Sequence, residues 1–114
     1  MLEIKEDNTI QLTRGDTARL RVPLFIKIDE EHKVSYEMGE DDTLTLSLKK
    51  SSKDEASLMT KTSKGTNVIH IEPIDTKHLS FSKYKYDVEL VTSSGDTYTV
   101  VQEKTFEILP EVTW

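Results

Sequence analysis

"RLRVPLFIKI", residues 19–28, decides how the chain is read. Leu20, Val22, Leu24, Ile26 and Ile28 alternate with Arg19, Arg21, Pro23, Phe25 and Lys27. A period of two sends the two sets to opposite faces of a strand, whereas a helix repeats its apolar residues three and four apart. One face is apolar and the other mostly polar, the pattern of an antiparallel strand packed on one side only. Pro23 has no N–H to give to a ladder, so it predicts a bulge or an edge position. Phe25 is the one large apolar side chain on the polar face, which makes it a candidate interface residue.

The same period runs outward in both directions. "NTIQLT" (residues 8–13) is a short strand before it. "TLTLSLKK" (43–50) puts Leu44, Leu46 and Leu48 on one face, and "SLMTKTS" and "NVIHIEP" are two more strands with Lys64-Gly65 as the turn between them. In "KYKYDVELVT" Tyr84, Tyr86, Val88 and Leu90 share a face, and "DTYTVVQEKTFEIL" is a last long strand with Tyr98, Val100, Phe106 and Ile108 in one phase. A brief strand fits at residues 33–37. Only "IDTKHLSF" (74–81) departs from the pattern, as one helical turn with Asp75 as its N-cap. About seven short strands separated by turn signals predict an all-β, two-sheet antiparallel sandwich, and the absence of a linker or repeat predicts one domain over residues 1–114.

Composition removes several functions. Of 114 residues, 35% are hydrophobic and 32% charged, and the net charge is -6. An acidic chain without a Lys/Arg cluster lacks the footprint of a nucleic-acid binder, since neutralising phosphates needs concentrated positive charge. There is no cysteine, which excludes disulfides and thiolate sites. No apolar run approaches the roughly 20 residues of a membrane-spanning helix, and the first ten residues show no secretory pattern. The expectation is therefore a protein made in the cytoplasm, with no nucleic-acid or membrane partner.

Arg14-Gly15-Asp16 spells a tripeptide that elsewhere signals cell adhesion. Gly-Asp-Thr, however, occurs twice, at residues 15–17 and 95–97, each time just before an alternating strand, and only the first copy follows an arginine. One structural role covers both. Gly15 and Gly95 take the positive φ of a tight corner, Asp16 and Asp96 bond nearby backbone, and the threonine starts the strand.

No catalytic constellation is legible. His32, His70 and His78 lack helical partners at metal-binding spacing, no serine sits in a nucleophile elbow, and the four glycines form no phosphate loop. No carboxylate pair stands out as an acid and a base, so no catalytic, cofactor or metal residue is assigned. The acidic runs "DEEH" (29–32) and "GEDD" (39–42) flank one loop and could supply oxygen ligands to calcium, but their spacing does not match the EF-hand pattern and a solvated hairpin tip accounts for them.

Two stretches together resemble a family: "TIQLTRGDTARLRVPL" and "IDTKHLSFSKYKYDVELVTSSGDTYTVVQEKTFEILPEVT". They are similar to small proteins and N-terminal domains of phages and prophages of Gram-positive bacteria, among them the immunoglobulin-like N-terminal domains of phage baseplate upper proteins. The shared elements are the Gly-Asp-Thr corner, the Tyr-x-Tyr-Asp-Val segment and the closing Phe-x-Ile…Pro-Glu-Val-Thr strand. The resemblance implies an immunoglobulin-like sandwich. It also implies a non-enzymatic structural or assembly component of a phage tail or baseplate. Such a component would act in the virion, bind other phage structural proteins and associate with itself, without a cofactor. It further implies that Tyr84 forms the corner before the sixth strand, its hydroxyl bonding back to upstream backbone. The rival reading is a carbohydrate- or peptide-binding module, since sandwich loops host such sites. Pro110 should end the last strand, leaving "EVTW" with Trp114, the only tryptophan, either to cover its own sandwich or to anchor in a neighbour.

Overall fold

The computed structural model describes residues 2–27, 29–51 and 57–110. It has ten strands and one short helix: β1 (Leu2–Ile4), β2 (Ile10–Thr13), β3 (Ala18–Arg21), β4 (Phe25–Lys27), β5 (Lys33–Ser35), β6 (Thr43–Lys49), β7 (Met59–Lys64), β8 (Val68–Ile71), α1 (Pro73–Lys77), β9 (Ser82–Val91) and β10 (Thr97–Leu109). Seven of these match the alternating segments of the sequence, β4 is the second half of the stretch read as one strand, β5 falls in the brief strand expected at residues 33–37, and β1 is additional. All ten strands lie in a sandwich-like all-β fold, antiparallel except for the parallel β2–β10 pair. Its larger sheet, in the order β1-β2-β10-β9-β6-β7, curls over the smaller layer formed by the β3–β8 and β4–β5 pairs.

Alternation becomes burial strand by strand. Leu44, Leu46 and Leu48 of β6 and Tyr84, Tyr86, Val88 and Leu90 of β9 are all buried. Across the ladder Leu44 faces Leu90 and Leu46 faces Val88, so these two strands carry the floor of the core. Leu20, Ile69 and Ile71 of the β3–β8 pair close it from above. Phe106, fully buried, packs edge-on against Tyr86 with ring centroids 6.0 Å apart. Truncating any of these leucines or isoleucines to alanine would cost about 2–5 kcal/mol.

The stretch read as one strand from residue 20 is two. The buried–exposed alternation runs unbroken from Ala18 to Phe25, but the ladder changes partner at Pro23. On one side Val22 is held by Asn67, whose carbonyl accepts the Val22 N–H at 2.8 Å and whose amide donates to the Val22 carbonyl at 2.9 Å. On the other side Leu24 accepts from the Tyr36 N–H and begins the β4–β5 pair. A residue with no donor sits where neither ladder needs one. Ile28, expected on the same apolar face, lies outside the described residues.

The lower end of the sandwich is closed by the two expected corners. Gly15 has φ +84°, and its N–H donates to Thr76 Oγ1 at 2.8 Å, tying the β2–β3 corner to the fully buried Thr76 of α1. The Arg14 guanidinium lies 4.3 Å from the centre of the Phe81 ring, and its Nη1 points to the Leu79 carbonyl at 3.4 Å. Asp16 turns its backbone N–H to Thr13. The tripeptide is thus folded onto its own domain. Tyr84 donates its hydroxyl to the Ser80 carbonyl at 2.7 Å, four residues upstream, which is the tyrosine corner of this fold.

One capping expectation is corrected. The helix begins after Glu72, not at Asp75. Asp75 is the third helical residue, and its carboxylate reaches back to the Glu72 N–H at 2.7 Å while pairing with Lys61 at 3.0 Å. Pro73 explains the shift: proline fits the first helical position, where its missing N–H is not needed, so the N-cap moves three residues earlier, from Asp75 to Glu72.

Candidate functional site

At the opposite, upper end the layers part. A groove of about 650 Å3 opens between the β9–β10 hairpin and the β4–β5 pair. Its walls include Phe25, Tyr36, Leu90, Tyr98 and Val100, with Lys33 at the rim. Phe25 and Tyr98 remain 56% and 54% exposed and lie in one apolar-lined groove, which makes them part of a patch and not isolated surface residues. The Lys33 ammonium lies 5.4 Å from the centre of the Phe25 ring, within reach of its negative face.

Tyr98 reaches this place through irregularities in β10. It pairs with Leu90 and so shares the inward face, as its phase with Phe106 implies. Between them, however, the register slips twice, once between Thr99 and Val101 and again between Val101 and Lys104. Each slip adds a residue to β10 alone, and bulges of this kind bend a strand and raise its twist. The upper third of β10 is not covered by the second layer as Phe106 is, and Tyr98 faces the groove rather than the packed core.

Asp42 holds Tyr36, one of the groove's wall residues. It is only 3% exposed and comes from the acidic run read as a solvated tip. That expectation is corrected for this residue. Asp42 Oδ2 accepts from the Tyr36 hydroxyl at 2.5 Å and the Gly39 N–H at 3.0 Å, and Oδ1 accepts from the Ser93 N–H at 2.9 Å. One carboxylate therefore ties the β5–β6 connection to the turn between β9 and β10. The Tyr36 hydrogen bond, followed by those from Gly39 and Ser93, holds the Asp42 carboxyl below the usual carboxylate range despite its burial. Reciprocally, Asp42 raises the Tyr36 hydroxyl. The turn that supplies Ser93 is built by the second Gly-Asp-Thr copy. Gly95 has φ +91°, the Thr92 N–H donates to the Asp96 carbonyl at 2.9 Å, and Asp96 Oδ2 accepts from Ser94 Oγ.

The other sequence candidates lie elsewhere. Asp29 accepts from the backbone of Glu31 and His32 and from His32 Nδ1 at 2.7 Å, closing the β4–β5 turn on itself in water. The two acidic runs do not converge, and among the described residues no three His, Asp or Glu side chains meet in a metal-holding group. His70 is exposed on β8. Trp114 lies outside the described residues. Of the groove residues, sequence reading found Phe25. It missed Tyr98 and Asp42, although the doubled valine at 100–101 and the polar run "QEK" behind it do mark the break in β10. Among the described residues no helix is long and apolar enough to cross a membrane. Compared with family models, with curated proteins and with solved structures, the chain matches none.

Proposed function

We propose that the chain is a non-enzymatic structural module of a phage tail or baseplate, working by contact with other virion proteins and with copies of itself. The observation that carries a binding rather than a catalytic reading is the groove's chemistry. Two half-exposed rings, Phe25 and Tyr98, line it, and of the wall residues only Lys33 and the two tyrosines can titrate. Such a surface can desolvate a partner's apolar side chain, but it offers no acid and base held apart in pKa. The virion assignment rests on the sequence resemblance to small phage proteins. Particles purified after prophage induction test it. Stoichiometric presence of the chain in them is the expected outcome, and recovery only from particle-free extract would overturn the assignment. A second reading, a carbohydrate-binding module, is favoured by one feature, the exposed Phe25 and Tyr98 rings lining one groove, since aromatic faces stack on sugars. A reproducible glycan-array hit abolished by Tyr98→Ala would select it.

A further inference from the structure

We propose that the groove is a strand-acceptor site and that its occupant is the segment Glu111-Val112-Thr113-Trp114 of a second copy of this chain. The proposal deepens the assembly reading above and rests on it. Its first support is an open backbone edge. β10 pairs with β9 along one side from Thr97 to Ile108, whereas on the other side β2 covers only Phe106 to Leu109. Among the described residues nothing pairs with that second edge over residues 97–105. An unpaired edge presents N–H and C=O groups that another polypeptide backbone can satisfy and a sugar cannot extend as a ladder. The groove lies directly beside the edge, with Tyr98 and Val100 on it, so an added strand would bring every second side chain to the apolar wall.

The segment after Pro110 has the matching pattern. Val112 and Trp114 fall on one face at the strand period, and Glu111 and Thr113 on the other. Trp114 supplies an aromatic ring for the wall that carries Phe25 and Tyr98. Docking within one molecule is out of reach. Nine residues of strand separate Val100 from Leu109, roughly 30 Å at about 3.3 Å each, while the five residues from 110 to 114 span at most roughly 18 Å. The donor must come from another copy. Because donor and acceptor are different surfaces, the contact is heterologous and propagates head to tail into a ring or a filament.

The test separates this contact from other modes of assembly. Trp114→Ala removes the donor and keeps the acceptor, whereas Phe25→Asp with Tyr98→Ala spoils the acceptor and keeps the donor. Both changes on the acceptor side are at exposed positions, and unchanged circular dichroism would confirm the fold. Each variant alone should associate at least about thirtyfold more weakly than the parent in sedimentation velocity, the scale of a hot-spot loss. Mixed, the two should form a complex that stops at two chains, and the tryptophan emission of the acceptor-spoiled partner should shift blue on mixing. Failure of the mixture to form pairs would overturn the proposal, as would self-association indifferent to both variants. The second of these would leave the assembly reading standing, whereas a parent chain that stays monomeric at roughly 100 μM and is missing from purified particles would remove both.

Discussion

Replacing Tyr84 with phenylalanine isolates one oxygen atom. The ring is buried and sits opposite Phe106 across the β9–β10 ladder, and its hydroxyl donates to the Ser80 carbonyl at 2.7 Å with Ser80 Oγ 3.0 Å away. The phenylalanine ring fills the same volume, so the core is unchanged and only the tie between the α1–β9 corner and the strand is lost. A hydrogen bond of this kind contributes about 0.5–1.5 kcal/mol net. Ser80 is exposed, so water can take over its carbonyl, and the loss should lie near the middle, about 1 kcal/mol. Unfolding entropy of about 2.1 cal/mol/K per residue gives roughly 0.24 kcal/mol/K for the chain, so Tm should fall by about 4 °C. Tyr84→Ala also empties the ring's volume, at about 3–5 kcal/mol, and should lower Tm by roughly 12–20 °C. Thermal unfolding followed by circular dichroism at one fixed protein concentration reads both, because self-association would otherwise move Tm. A phenylalanine variant melting within a degree of the parent would show the corner idle. One melting as low as the alanine variant would refute the claim that only the hydroxyl differs.

Three further outcomes follow from single geometries. Asp42, depressed by its hydrogen bonds, stabilises the fold above the ordinary carboxylate pKa of about 3.9, and this contribution disappears as pH falls through its lower folded value. The Tm gap between parent and Asp42→Asn should therefore be full at pH 7 and close toward pH 2, and a gap constant with pH would contradict the latch. Gly65 has φ +73°, and a Cβ there would stand 3.2 Å from the Glu40 carbonyl oxygen, whereas at Gly95 (φ +91°) nothing lies within 4 Å. Gly65→Ala should thus lose more than the roughly 1–2 kcal/mol of left-handed strain that Gly95→Ala loses, and equal losses in denaturant titrations would deny the close approach. The Tyr86 hydroxyl, pushed up to about 12 by burial and then by the Asp7 charge, donates to the Asn8 carbonyl. Its stabilisation is present below pH 10 and lost as pH rises toward 12, so ultraviolet titration should show a late tyrosinate step that shrinks by one tyrosine in Tyr86→Phe.

The parts of this fold legible in the sequence are those set by local period. Leu44, Leu46 and Leu48 alternate with threonine and serine because one face of β6 is buried and the other is not, and no distant residue is needed to read that. Partner choice is different. β7 and β8 are consecutive and joined through Gly65, yet β7 pairs with β6 and β8 with β3, in different layers. That depends on which long-range contacts bury most surface, and the local sequence carries no trace of it. The candidate site was the least legible part. Phe25 stood out as an apolar residue on a polar face, but Asp42 looked like one more charge in "GEDD" until Tyr36, Gly39 and Ser93, up to 51 residues away, supplied its donors.

The contrast between the two ends of the sandwich bears on whether the groove is made or merely left over. At the lower end the devices close: Gly15 bonds Thr76, Tyr84 ties the corner, and Arg14 lies over a Phe81 ring that stays half exposed. At the upper end the devices hold a space open. Pro23 ends one ladder where the small layer changes partners, two register slips bend β10, and β2 stops short of its first nine residues. A gap from poor packing would be expected to relax by collapse of flexible side chains. This one is braced by a buried carboxylate, and burying a charge is unfavourable unless its hydrogen bonds are met. Asp42 has three such bonds: those from Tyr36 and Gly39 order its own β5–β6 connection, and the one from Ser93 ties that connection to the β9–β10 turn. An apolar residue at 42 would stabilise a closed end more simply. A carboxylate there gives the groove a fixed width before any partner arrives, which lowers the ordering cost of docking.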